Sequence, residues 1–132
     1  MTSDLVVRTT IEASPQEVFP YLVQPDLLVR WLGSWVDVDP RPGGAFAVDM
    51  GQTAVRGAYV AVEPPFRVVF TWGIPGSQDM PAGSSTVEIV LRPDGDATVV
   101  ELTHRDLPVD RHASHRQGWS NRLGALASIL RE

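Results

Sequence analysis

The chain has no cysteine. Disulfides, thiolate chemistry and cysteine-ligated metals are thereby excluded. It has no lysine either: all 11 basic residues are arginine, against 16 aspartates and glutamates, for a net charge of -5. The arginines are scattered rather than clustered, so no nucleic-acid groove is expected. No apolar run approaches the ~18 residues of a membrane-spanning helix. The opening MTSDLVVRTT carries an early aspartate and no long apolar stretch, unlike a secretory signal. Internal repeats, linkers, nucleophile–base motifs, phosphate loops and dinucleotide fingerprints are all missing. A cytoplasmic protein without a cofactor is expected. What is present suits one soluble domain: 132 residues, 43% hydrophobic and 20% charged, enough to bury a core without staples.

The β-branched stretch from Leu5 to Ala13 reads as a first strand. Ser14 then suits a helix N-cap, Pro15 the first helical position, and Glu17 the reciprocal place in a capping box. Val18, Phe19 and Leu22 follow at helical spacing, with Pro20 placed to kink or shorten the helix. Pro25 to Trp31 reads as a second short helix ending near Gly33. Six strands follow: Trp35–Asp39, Ala45–Met50, Ala54–Val62, Arg67–Trp72, Ser85–Arg92 and Ala97–Arg105. The segment Gly73–Gly83 is rich in glycine and proline and reads as a long mobile loop. Short turns between successive strands imply an antiparallel sheet. The expected class is therefore α+β, a seven-stranded antiparallel sheet with two short helices after strand one and a long helix at the end.

That last helix, Arg111 to Glu132 with Asp110 as its cap, places His112, His115, Trp119, Leu123, Leu126 and Leu130 on one face. Gly118 within it costs about 1 kcal/mol against alanine, and close approach to a strand is the expected compensation. Trp119 then points inward as a core plug, a cavity wall, or both. Phe46, Val48, Met50, Tyr59, Phe70 and Trp72 are expected to face the helix, as core or as ligand contacts. The Tyr59 hydroxyl and Trp72 indole need partners if buried, and a ligand is one source. Met50, and Met80 in the loop, would be adaptable liners. His112 and His115 stand an i, i+3 step apart with His104 near in sequence, but no carboxylate joins them in a known motif and no metal site is expected. His104, Asp37 and Tyr59 are the candidates for moving protons; Asp49 is a further strand carboxylate. Glu101 and Arg105 share a strand face and are expected to pair.

Several segments together resemble the helix-grip, START-like (SRPBCC) superfamily, and within it the branch named for homology to the activator of Hsp90 ATPase. They are Ala13-x-Pro15-x-x-Val18-Phe19 followed by Trp31, Pro42-Gly43-Gly44-x-Phe46, Gly57-x-Tyr59, Val69-Phe70-Thr71-Trp72, and His115-x-x-Gly118-Trp119-x-x-x-Leu123. The resemblance spans nearly the whole chain and implies a curved sheet wrapped round the C-terminal helix, with a tapering space between them. The superfamily includes lipid carriers, polyketide cyclases, hormone receptors and co-chaperones, so fold does not decide activity. The leading expectation is a domain that binds a small hydrophobic or aromatic molecule between sheet and helix. Its expected contacts are Phe46, Val48, Met50, Tyr59, Phe70, Trp72, His104, His115, Trp119 and Leu123, with Gly73–Gly83 as a gate. The alternatives are a cyclase, dehydratase or hydrolase using the same cavity and, third, a co-chaperone or other interaction module. Neither nucleic acid nor membrane is an expected partner; a homodimer is the assembly to test for.

Overall fold

Alternation of apolar and polar residues decides which way each strand faces, and in this chain it curls seven strands around one helix. The computed structural model describes residues 2–131. Its strands are β1 (Thr2–Ile11), β2 (Trp35–Val38), β3 (Ala45–Met50), β4 (Thr53–Glu63), β5 (Arg67–Trp72), β6 (Ser85–Asp94) and β7 (Ala97–Pro108). Its helices are α1 (Pro15–Val18), α2 (Pro25–Leu28) and α3 (His112–Arg131). One antiparallel sheet runs in the order β1-β7-β6-β5-β4-β3-β2, and α3 packs closest to β1. This is the expected helix-grip architecture. No described helix is long and apolar enough to cross a membrane.

The capping box at α1 is formed in both directions. Glu17 N–H donates to Ser14 Oγ at 3.3 Å, and Ser14 N–H donates back to the Glu17 carboxylate at 3.2 Å. Pro20 has its expected effect: α1 ends after one turn and Phe19–Leu22 continues as a 3-10 turn, because proline lacks the N–H that an α-helical interior needs. α2 is shorter than expected, stopping at Leu28. Asp110 does not cap α3. A 3-10 turn over Val109–Arg111 leads directly into the helix and takes Asp110 inside it. Glu132 lies outside the described residues. Strand β7 runs past Arg105 to Pro108, so His104 lies within the strand rather than at its end. Its pairing with β1 slips at a bulge between Ser3 and Leu5, opposite Asp106 in the left-handed region at φ 59. The extra residue turns Leu107 inward, where it is fully buried.

Glu101 and Arg105 do not pair with each other. Four residues along a strand span about 13 Å, whereas cross-strand neighbours lie about 5 Å apart. Glu101 therefore takes Arg8 at 2.7 Å and Arg92 at 3.5 Å. Arg105 takes Glu88, which also holds Arg67 at 2.6 Å. These two ladders cover the outer face of β1, β7, β6 and β5.

The inner face of β3, β4 and β5 is filled by aromatic rings. Phe46 and Phe70 stack with centroids 4.0 Å apart and planes 13° from parallel. Tyr59 meets Phe46 edge-on at 5.5 Å, and its hydroxyl donates to the Leu22 carbonyl at 3.1 Å. The sharp approach of β4 to β5 depends on Gly57, since a Cβ there would sit 2.0 Å from the Thr71 carbonyl oxygen. Truncating the ring at the centre of this cluster should be costly. Phe46→Ala is expected to lose about 3–5 kcal/mol, read as a lowered urea midpoint with an unchanged slope.

Candidate functional site

A cavity of about 280 Å³ opens where the β3–β4 turn and the end of β5 meet the first half of α3. The sheet side contributes Met50, Thr53, Val55, Trp72 and Ile74. The helix side contributes Arg111, Ser114, His115, Gly118, Trp119 and Arg122. The helix residues recur at three- and four-residue steps, one continuous stripe. Gly118 sits at its middle. No heavy atom would come within 4 Å of a Cβ added there, so this glycine does not answer a close helix–strand approach. Its missing side chain leaves space in the cavity instead.

Two tryptophans form the inner wall, their ring centroids 4.9 Å apart. Both are almost fully buried, and their N–H groups have different fates. Trp119 N–H donates to His104 Nδ1 at 3.1 Å. An indole N–H can only donate, so Nδ1 accepts and, in the neutral ring, Nε2 carries the proton. Nε2–H then reaches Ser85 Oγ at 2.8 Å, and the Ser85 hydroxyl donates to the Trp72 carbonyl at 2.7 Å. The Trp72 indole N–H itself is buried and meets no acceptor among the described residues. Such a group costs about 1–3 kcal/mol unless something satisfies it.

His104 is fully buried and both its nitrogens are engaged. Burial, and then the nearby His115 and His112, push its pKa from 6.5 down to about 3. It is a structural link, held neutral. His115 stands edge-on to it, centroids 5.3 Å apart, and lines the cavity. Its Nδ1–H donates to the Arg111 carbonyl at 3.0 Å. Burial lowers its pKa, against the opposing effect of that hydrogen bond. In this tautomer Nε2 keeps its lone pair. Ser85 and His104 have the spacing of a nucleophile and base, but the serine is fully buried and its proton is committed to the Trp72 carbonyl.

Of the expected ligand contacts, Met50, Trp72, His115 and Trp119 line the cavity. Phe46, Val48, Tyr59, Phe70 and Leu123 lie in the packed core instead, because their rings and branches fill the space against one another, and His104 is fully buried beside them. Of the proton-moving candidates, Asp37 is exposed on the edge strand β2. Burial raises the Tyr59 phenol far above its usual range, leaving it a neutral donor to Leu22. Asp49 is paired with Arg56 at 2.9 Å. Among the described residues, no cluster of histidine and carboxylate ligands suits a metal. The loop Gly73–Gly83 is fastened down rather than free. Met80 is fully buried, its carbonyl accepts from Ile74 N–H at 2.8 Å, and Asp79 grips Arg111 through two hydrogen bonds of 2.9 and 3.1 Å. Arg111, Ser114, Gly118 and Arg122 were not expected in the site. Their stripe lies beside the face that was read, and the mid-helix glycine was its visible signal.

The depressed His104 pKa has a sign that can be checked. Between about pH 6.5 and 3 the unfolded chain binds a proton that the folded chain refuses, so the His104 contribution to stability is complete above pH 6.5 and falls with acidification. His104→Gln should flatten the dependence of the urea midpoint on pH between 6.5 and 4 relative to wild type. Parallel slopes would contradict a histidine held neutral.

Comparisons with known proteins agree with this fold. CalU16 from Micromonospora echinospora is 27% identical over 98% of this chain and 76% of its own, with a TM-score of 0.82. The dimeric Aha1 from Colwellia psychrerythraea is 18% identical, covers 96% of this chain and 95% of its own, and has a TM-score of 0.85. DynU16, a protein in the dynemicin biosynthetic locus, is 23% identical with a TM-score of 0.85; the match takes in 98% of this chain but 47% of DynU16. No curated protein matches the sequence. The family model described as activator of Hsp90 ATPase homolog 1-like protein matches residues 12–131, and the chain, a START-like helix-grip domain, belongs to that family.

Proposed function

We propose that this protein binds a small, largely apolar molecule in the cavity between α3 and the sheet, acting in the cytoplasm. The observation that carries this reading is the Trp72 indole: its residue lines the cavity, and its buried N–H has no acceptor among the described residues. A ligand oxygen would satisfy it, while Met50, Ile74 and Trp119 cover an apolar body. The volume, about 280 Å³, falls just below the range for small-molecule sites, about 300–1,000 Å³. A ligand of one or two fused rings suits it better than a long lipid. The family's name points instead to a co-chaperone; the cavity favours the small-molecule reading. A homodimer rests on the dimeric Colwellia relative, and native mass spectrometry decides it.

The test uses phenylnaphthylamine, an uncharged fluorescent probe. Saturable binding at one site is expected in the wild type. Gly118→Leu places a side chain in the cavity while improving helix propensity by several tenths of a kcal/mol, so it should abolish binding without lowering the melting temperature. Gly124, exposed on the same helix, supplies the control: Gly124→Leu should leave binding intact. No binding by the wild type, or equal binding by Gly118→Leu, would remove the cavity from the argument.

His115 favours a second reading, acid–base catalysis on a cavity ligand. It lines the cavity, is held neutral and leaves Nε2 free to accept a proton. A nitrobenzisoxazole reports such a base directly: as His115 Nε2 takes its C–H proton, the C–H electrons complete a nitrile C≡N bond and the N–O bond breaks, its electrons leaving on oxygen as a cyanophenolate. The wild type should accelerate ring opening, and His115→Gln should lose about a hundredfold. Equal rates in the two proteins would leave binding as the function.

A further inference from the structure

The cavity is electrostatically unlike the rest of the molecule. The chain has 16 acidic residues against 11 arginines, yet the cavity lining holds two arginines and no carboxylate. Arg111 is partly neutralised by its two hydrogen bonds to Asp79. Arg122 is half-buried and makes no ion pair or hydrogen bond to any described residue. That is unusual here: Arg8, Arg41, Arg56, Arg67, Arg92, Arg105 and Arg111 all have carboxylate partners. Arg122 lies one turn beyond Gly118 and Trp119, about 5 Å further along the helix axis. The site therefore joins an apolar body, a buried orphan N–H at Trp72 and an uncommitted guanidinium on one helix stripe.

We propose that the molecule bound here is an amphipathic organic acid, its ring system against Trp72 and Trp119 and its anionic group on Arg122. The inference rests on the cavity reading above and adds the charge of the ligand. Guanidinium recognises a planar carboxylate or a sulfonate through charge-assisted hydrogen bonds, stronger than neutral ones and directional. The Trp72 N–H then takes a second oxygen of the ligand, a ketone or phenol, deeper in the cavity. Arg111 reinforces the positive potential at the N-terminal side of the stripe. Gly118, between the two arginines, leaves the stripe open for the ring system.

The experiment compares two probes that differ by one sulfonate group: anilinonaphthalene sulfonate and its uncharged parent phenylnaphthylamine, titrated into the full chain at low salt. The sulfonate should bind about tenfold more tightly, the lower end of what a hydrogen bond to a charged group contributes. Arg122→Gln should erase that preference, and Arg122→Lys should keep part of it. Equal affinities in the wild type, or a preference that survives Arg122→Gln, would overturn the assignment while leaving the cavity reading standing. Failure of both probes to bind the wild type would remove both. Gly118→Leu should exclude both probes, which separates cavity binding from sulfonate adsorbed elsewhere on the surface.

Discussion

The Trp119 indole can only donate a hydrogen bond, and the nitrogen that accepts it lies on strand β7. From His104 the chain of donors passes to Ser85 on β6 and ends at the Trp72 carbonyl at the close of β5. Each link is an ordinary hydrogen bond worth about 1 kcal/mol net. Together they fix the rotation of α3 about its own axis, because Trp119 must face His104 for any of them to form. A helix turns about 100° per residue, so once Trp119 is set, the direction of Gly118, Arg122 and His115 is set too. The relay also requires a neutral His104. Burial ensures that, and it leaves the imidazole no spare nitrogen for catalysis.

The inner face of the sheet divides into two regions. In the middle of β3, β4 and β5 the aromatic rings meet each other and exclude everything else: Phe46 on Phe70, Tyr59 edge-on to both, with its hydroxyl committed to Leu22. Towards the β3–β4 turn the facing residues shrink to Thr53 and Val55, and across from them α3 presents a glycine. The volume that the first region fills is left open in the second. Trp72 stands at the boundary, in contact with Phe70 on one side and Trp119 on the other. Its N–H is buried and has no acceptor among the described residues. A buried donor without a partner is a cost to the fold.

Charge follows the same division. The outer face of the sheet neutralises itself through ladders in which Glu88 and Glu101 each hold two arginines. Such surface pairs contribute little individually, but these two ladders occupy four of the chain's 11 arginines. Arg122 is left over, and it is left over at the cavity. In a protein of net negative charge, that places a guanidinium with no carboxylate partner among the described residues beside the cavity.

The architecture was legible in the chain because its determinants are local. Period-two alternation marked β3 and β5 to the residue, the Ser14–Glu17 box marked the start of α1, and the spacing of Trp119, Leu123 and Leu126 marked the buried side of α3. That Trp72 would be buried with a polar group needing a partner was equally readable. Tertiary structure decided what alternation cannot: which inward residues meet one another and which meet open space. Phe46, Tyr59 and Phe70 face inward as expected, yet sheet curvature presses them into a solid stack. Gly118 was read as a point of close approach and is the reverse. Glu101 and Arg105 were read as partners and found closer ones across the sheet. Inwardness is a property of one strand or one helix, written in its own residues; contact, cavity and unpaired charge belong to two elements at once, and only their packing brings them together.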